Sequence, residues 1–225
     1  MANKMRVTLE IGPKGKRVVA VAPDWPGLER GAKTEAAAIE QLLAYVPRYA
    51  TATKLAGMQA ALPTSPVVDV VERYPGTGST DFWSISFAFS SLDQQAMSGE
   101  ALARELTLMR AGWAFFDEVR ARVSAEMRPG PRGGGRNRER IVRHVWAVEQ
   151  DWSRKLGLLA PEDPMLTRAA LNAYRDDYCN AIRALNAEGK MARNWPLRYL
   201  IRHTAFHTLD HAWEMEDKDL TANPA

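Results

Sequence analysis

Cysteine is almost missing from this chain: Cys179 is the only one in 225 residues. A lone thiol closes no internal disulfide, so nothing points to an oxidising compartment and cytoplasmic residence is the expectation. Long apolar runs are missing as well. Stretches such as Val18–Ala22 fall far below the ~18 residues a membrane-spanning helix needs. The opening residues include Lys4, Arg6 and Glu10, which leaves no uninterrupted apolar segment of the kind a secretory signal requires. Phosphate-binding glycine loops are absent too. Gly12–Lys16 is too short and lacks the closing Ser or Thr, and Gly76-Thr77-Gly78 is followed by no suitable helix start. Both read as turns, and no nucleotide site is expected. Neither sign of charge dominates, with 30 Lys and Arg against 27 Asp and Glu, a net of +3. At 46% hydrophobic and 25% charged residues, the composition excludes a disordered tail, a collagen-like rod and a helical membrane bundle.

What is present divides into two grammars, at residues 1–90 and 91–225, which predicts an α+β protein. Met5–Ile11 and Arg17–Ala22 are rich in Val and Ile and flank Gly12-Pro13-Lys14-Gly15, which reads as a β-hairpin. Pro23-Asp24-Trp25-Pro26-Gly27 forces a turn. Thr34 caps an Ala-rich helix to about Tyr49 or beyond. Val67–Glu72 is a further strand, and Asp81–Ser90 is either a last strand or an irregular connector.

The second region reads as four helices. Leu102, Leu106, Met109, Trp113, Phe116 and Val123 form an apolar seam within Gly99–Glu126. A second helix runs from Arg138 to Leu156 and ends at Gly157. Pro161 and Pro164 mark a loop, and a third helix covers Met165–Ala187. Asn194 caps a fourth, with Pro196 in its first turn. Four amphipathic helices joined by modest loops predict a bundle. Cys179 falls near the apolar side of the third helix and reads as inert core.

All four histidines lie in this helical region. His203, His207 and His211 follow an i, i+4, i+8 spacing and drift about 40° per step, so neighbouring members can share a metal ion. The outer pair stand about 12 Å apart along the axis, so a third ligand must come from elsewhere, and His144 is the only other histidine. On a helical wheel His207 and His211 fall on the inward face centred on Leu200, while His203 falls at its edge, a surface or supporting position. His144 sits on the flank of the stripe Ile141, Val145, Val148, Trp152 and Leu156. Inward imidazoles need partners; a metal supplies one, and a satisfied core pair without metal is the other reading.

The segment Arg202-His203-Thr204-Ala205-Phe206-His207-Thr208-Leu209-Asp210-His211, preceded by Gly133-Gly134-Gly135-Arg136 through His144 and Glu149, resembles the DinB/YfiT-like superfamily over about Leu92–Asp219. The resemblance implies an up-down-down-up four-helix bundle, frequent pairing as homodimers, and a divalent metal on His144, His207 and His211. Zinc or nickel come first as the metal, with iron or manganese next. Relatives include transferases and isomerases that use a low-molecular-weight thiol, so thiol transfer or hydrolysis on a small-molecule substrate is the implied chemistry. Glu149, His203, Asp210 and Glu214 are candidates to support the ligands or act as base. Where familiar members continue Arg-Gly-Gln after the last histidine, this chain has Ala212-Trp213-Glu214. Residues 5–50, through Pro23-Asp24-Trp25-Pro26-Gly27, Gly31 and Thr34, resemble the HicB-like αβ module, which binds partners.

The alternative is a non-catalytic protein with structural histidines. Between Arg128 and Arg143 six arginines, Arg132, Arg136 and Arg138 among them, stand against Glu139 alone. Such a cluster attracts nucleic acid or an acidic partner. No aromatic residue interleaves it before Trp146, so a base-stacking surface is not indicated.

Overall fold

The structure is a computed structural model that describes residues 4–130, 135–161 and 167–221. Arg132, Gly133 and Gly134, the predicted loop residue Pro164 and the predicted helix start at Met165 lie outside the described residues. The architecture is mixed α+β: a four-stranded sheet comes first and helices follow.

Strands β1 (Lys4–Ile11) and β2 (Val18–Val21) make the expected antiparallel hairpin, with Thr8 opposite Val21 and Ile11 opposite Val18. The Asp81 carboxylate closes its turn by accepting from the backbone N–H groups of Lys14, Lys16 and Arg17 at 2.7, 2.9 and 3.1 Å. Strand β3 (Glu29–Ala32) was not expected, because Glu-Arg-Gly-Ala has no β-branched residue. It forms by pairing with β2, Val21 opposite Glu29 and Val18 opposite Ala32. Helix α1 (Glu35–Leu55) begins under Thr34, whose hydroxyl accepts from the Ala37 N–H at 3.2 Å. Strand β4 (Val67–Pro75) then lies parallel to β1, giving the order β3-β2-β1-β4.

After Pro75 the chain departs from expectation. A short helix α2 (Gly78–Trp83) replaces the predicted turn and the start of the strand or connector. Thr77 and Thr80 cap it reciprocally, and Ser84 ends it in the left-handed region at φ 61. A Thr-x-x-Thr box with no apolar run behind it leaves little periodic signal, which is why the helix escaped a pattern reading. Residues 84–98 carry no regular structure and pack on the sheet. Their anchor is Glu10, fully buried, which accepts from Thr80 Oγ1 at 2.5 Å, Ser86 Oγ at 2.6 Å, and the N–H groups of Phe87 and Ala88 at 2.9 and 3.0 Å.

Four longer helices complete the fold: α3 (Gly99–Arg122), α4 (Arg138–Ser153, extended by a 3₁₀ turn at Arg154–Leu156), α5 (Arg168–Ala187) and α6 (Leu197–Asp217). Helix α3 stops before the predicted Glu126, because Val123 turns extended and Ser124 donates its N–H to Asp219 at 2.9 Å. Pro196, not Asn194, occupies the position before α6, in a turn closed by reciprocal Ala192–Trp195 backbone bonds.

Apolar side chains form two clusters. One joins the sheet and α1 to α3, α4 and α6 through Leu9, Leu42, Phe116, Leu209 and Trp213. The other joins the four long helices through Leu106, Trp113, Trp146, Tyr178 and Leu200. Helix α6 serves both, and 15 of its 21 residues are buried. Gly27 fixes the approach of the sheet layer: its φ is +94, and a Cβ there would stand 2.7 Å from Leu209 Cδ1 and 3.0 Å from the Ala205 backbone. Arg202 ties the layers together. It donates to Asp93 twice at 2.8 Å, to Glu29 and Ser86 at 3.1 Å, and to the Ala88 carbonyl at 3.2 Å. Among the described residues no helix is long and apolar enough to cross a membrane.

Candidate metal centre

Helix α4 turns His144 toward α6, and α6 presents His207 and His211 one turn apart. The three imidazoles form a triangle with ring centroids 5.1, 4.8 and 4.6 Å apart. One nitrogen from each lies within 4.8 Å of the others. The Nε2 atoms of His144 and His207 are 3.2 Å apart. Tetrahedral zinc with Zn–N bonds of ~2.0–2.1 Å sets its nitrogens about 3.3 Å from one another, so this pair already has the spacing of two ligands. The donor set fits a divalent transition metal, since neutral imidazoles suit zinc, nickel and iron alike.

His211 Nδ1 is 2.7 Å from Glu214 Oε2, and Lys218 Nζ donates to the other carboxylate oxygen at 2.6 Å. Burial alone would raise the Glu214 pKa, but the hydrogen bonds from His211 and Lys218 outweigh it and hold the carboxyl down at about 2. A carboxylate held against Nδ1 is the carboxylate–histidine arrangement that orients metal ligands, and it leaves Nε2 of His211 as the nitrogen available to a metal. Burial, followed by the charge of His211 and then of Arg136, pushes His144 down to about 4. The same kind of environment holds His207 well below its ordinary value. Both are therefore neutral at pH 7, the form that binds metal.

The triangle lines a cavity of about 580 Å³ whose walls come from both layers: Gly31 and Gln41 from the sheet side, Val148 and Trp152 from α4, Phe206 and Asp210 from α6. Gly31 is required there, because a Cβ would stand 2.2 Å from the Ser84 carbonyl. Among the supporting candidates, Glu214 is bonded to His211, and Asp210 lines the cavity with its carboxylate 3.7 Å from Arg30 Nη1. Glu149 lies away from the triangle, with Arg175 and Asp117 as its charged neighbours. His203 is 5% exposed and stacks on Tyr199 at 5.0 Å. The wheel puts it at the edge of the apolar face; the rings of Phe87, Trp152 and Trp195 close on that edge, so it is buried. Cys179 is fully buried with its thiol pKa raised by desolvation, as an inert core residue should be.

Two arginines stand on the cavity wall, and of these Arg30 escaped the sequence reading. Arg30 is sandwiched with its guanidinium 3.4 Å from the Tyr45 ring and 4.7 Å from Trp213, and it donates to the Glu29 carbonyl. Arg136 reads in sequence as one member of a basic run. Arg138 and Arg143 of that run are engaged, with the Val123 carbonyl at 2.9 Å and with Glu139 at 2.7 Å. Comparison of the chain with protein-family models, curated proteins and solved structures gives no match in any of the three.

Proposed function

We propose that this chain is a DinB-like metal-dependent enzyme. His144, His207 and His211 hold a divalent ion, zinc or nickel before iron or manganese, for thiol-dependent transfer or hydrolysis. In this reading residues 91–225 are the metal-binding bundle and residues 1–90 a HicB-like module that walls the site. Homodimer formation belongs to the same resemblance, and cytoplasmic residence follows from the lone thiol of Cys179. The observation that carries it is the triangle itself: three neutral-capable nitrogens from two helices within 4.8 Å, opening on a cavity.

A bound ion of this kind is a Lewis acid that lowers the pKa of a water or thiol at its open position. The chain's own groups supply the rest. Glu214 orients His211. Asp210, on the cavity wall 3.7 Å from Arg30, is the carboxylate assigned to take a proton from the bound molecule. Trp152, packed 5.3 Å from the ring of His207, keeps water from that side. A nucleic-acid-binding role for Arg128–Arg143 has less support, because Arg138 and Arg143 are spent on contacts within the chain.

The test is the metal content of protein purified without a histidine tag, for the wild type and for His207→Ala. About one equivalent of transition metal in the wild type, lost in the variant, is expected for a three-ligand site. A wild type that neither holds nor takes up metal would overturn the reading.

A further inference from the structure

The cavity beside the histidines has a character that metal binding alone does not require. Much of its wall is flat and aromatic. Trp152 lies 4.9 Å from the ring of His203 and Phe87 lies 5.7 Å from it, while Trp83 stands at the rim, 60% exposed. Nδ1 of His203 is buried without a hydrogen-bond partner. The ring lines the cavity, and burial drives its pKa down to about 3, so it presents a neutral face.

The charges on the same wall are mostly matched. Glu29 meets Arg202 at 3.1 Å, Glu214 meets His211 and Lys218, and Asp210 faces Arg30. Arg136 lines the cavity and makes no ion pair among the described residues. Its charge depresses both His144 and His207, which line the same cavity. Flat faces favour a planar ring, and an unmatched guanidinium favours an anion, carboxylate geometry above all. A volume of about 580 Å³ falls in the range of small-molecule sites.

We infer that this cavity binds a small planar aromatic carboxylate, its ring against Trp152 and His203 and its carboxylate toward Arg136. The inference names a substrate class for the centre and rests on reading the histidines as its reactive end.

The test is calorimetric titration of the full chain, stripped of metal by a chelator and, in parallel, loaded with zinc. The probes are 2-naphthoate, its neutral analogue 2-naphthamide, and the saturated decahydronaphthalene-2-carboxylate. In the metal-free protein, naphthoate is expected to bind about tenfold more tightly than the amide, the scale of one charge-assisted contact. It should also bind several-fold more tightly than the saturated acid. Arg136→Gln should remove the acid-over-amide preference and leave amide affinity unchanged, whereas Arg143→Gln, on an exposed side chain paired with Glu139, should leave the preference intact. Equal binding of acid and amide, or a preference that survives Arg136→Gln without metal, overturns the carboxylate assignment. Equal binding of the aromatic and saturated acids overturns the ring assignment. Zinc content of the same preparations separates the two readings. Zinc retained with no acid preference sinks this inference alone; an Arg136-dependent preference in protein that takes up no zinc sinks the metal centre and leaves the cavity assignment standing.

Discussion

Glu214 touches no cavity ligand in the proposed chemistry, yet the quality of the metal site depends on it. Its anionic carboxylate holds His211 by Nδ1, and loss of such a partner typically costs 10–100-fold in metal affinity. Glu214→Gln should therefore weaken zinc binding by at least about tenfold, measured by competition with a chromophoric chelator, with stoichiometry unchanged at saturation. An affinity equal to wild type would show that His211 needs no anionic support. Glu149 carries a different prediction. Burial lifts its pKa from 4.5 to about 7, against the opposing pull of Arg175. A carboxyl raised on folding makes the native state hold the extra proton between those values, so stability falls as pH rises through that window. At about 1.4 kcal/mol per unit, ionisation of Glu149 destabilises the fold by up to about 3 kcal/mol above pH 7. Glu149→Gln should flatten that share of the pH profile in urea melts between pH 5 and 8. Glu29 and Glu105, also raised to about 7 by burial, leave a residual slope; an unaltered profile would mean Glu149 is not the titrating group.

At the level of elements, the close seat of the Pro23–Leu28 turn against α6 depends on one residue. Gly27→Ala places a Cβ on a backbone at φ +94 and into Leu209 and the Ala205 backbone. Strain and overpacking of this kind each cost about 1–3 kcal/mol. Thermal unfolding should drop by roughly 2–4 °C for each kcal/mol lost, and an unchanged Tm would mean that the turn can lift off α6 freely. The sequence announced this turn through its prolines, but not what lies beneath it. That contrast recurs. The hairpin, α1 and the four long helices were legible because their signals are local: alternation, caps and i, i+4 seams. Strand β3 and α2 were not, since β3 borrows its geometry from β2 and α2 rests on a Thr77–Thr80 box. The histidine triangle was half legible. One helix turn brings His207 beside His211 whatever the fold, but the burial of His203 depends on Phe87, Trp152 and Trp195, which reach it from elsewhere in the chain. Neither Arg30 nor Arg202 carries a signal that distinguishes it from a solvated arginine until the sheet layer is in place.

For the molecule as a whole, the question is what keeps the sheet layer and the helices in register, since the cavity has walls from both. The apolar cluster shared by Leu9, Phe116 and Leu209 supplies adhesion without direction; Arg202 supplies direction. It sits 2% exposed between Glu29 of β3, Asp93 ahead of α3, and its own helix. Arg202's charge and hydrogen bonds hold Asp93 below the usual carboxylate range in spite of burial, which alone would raise it. Removing one partner of such a network leaves buried charge uncompensated and costs about 3–5 kcal/mol. Arg202→Met, which keeps the apolar stem, should lose that amount at pH 8 by urea denaturation. The loss should shrink toward pH 5, because Asp93 and Glu29 without their counter-ion can take up protons and become neutral in the folded state. The metal site offers an internal control. All three histidines stand on α4 and α6, so zinc stoichiometry at saturation should survive Arg202→Met. Affinity for an aromatic acid should fall, because the wall carrying Gly31 and Phe87 is no longer pinned opposite Trp152. A variant equally destabilised at pH 5 and pH 8 would show that Arg202 acts by packing, not by charge; loss of zinc with the wall would show that the sheet layer builds the centre as well as the cavity.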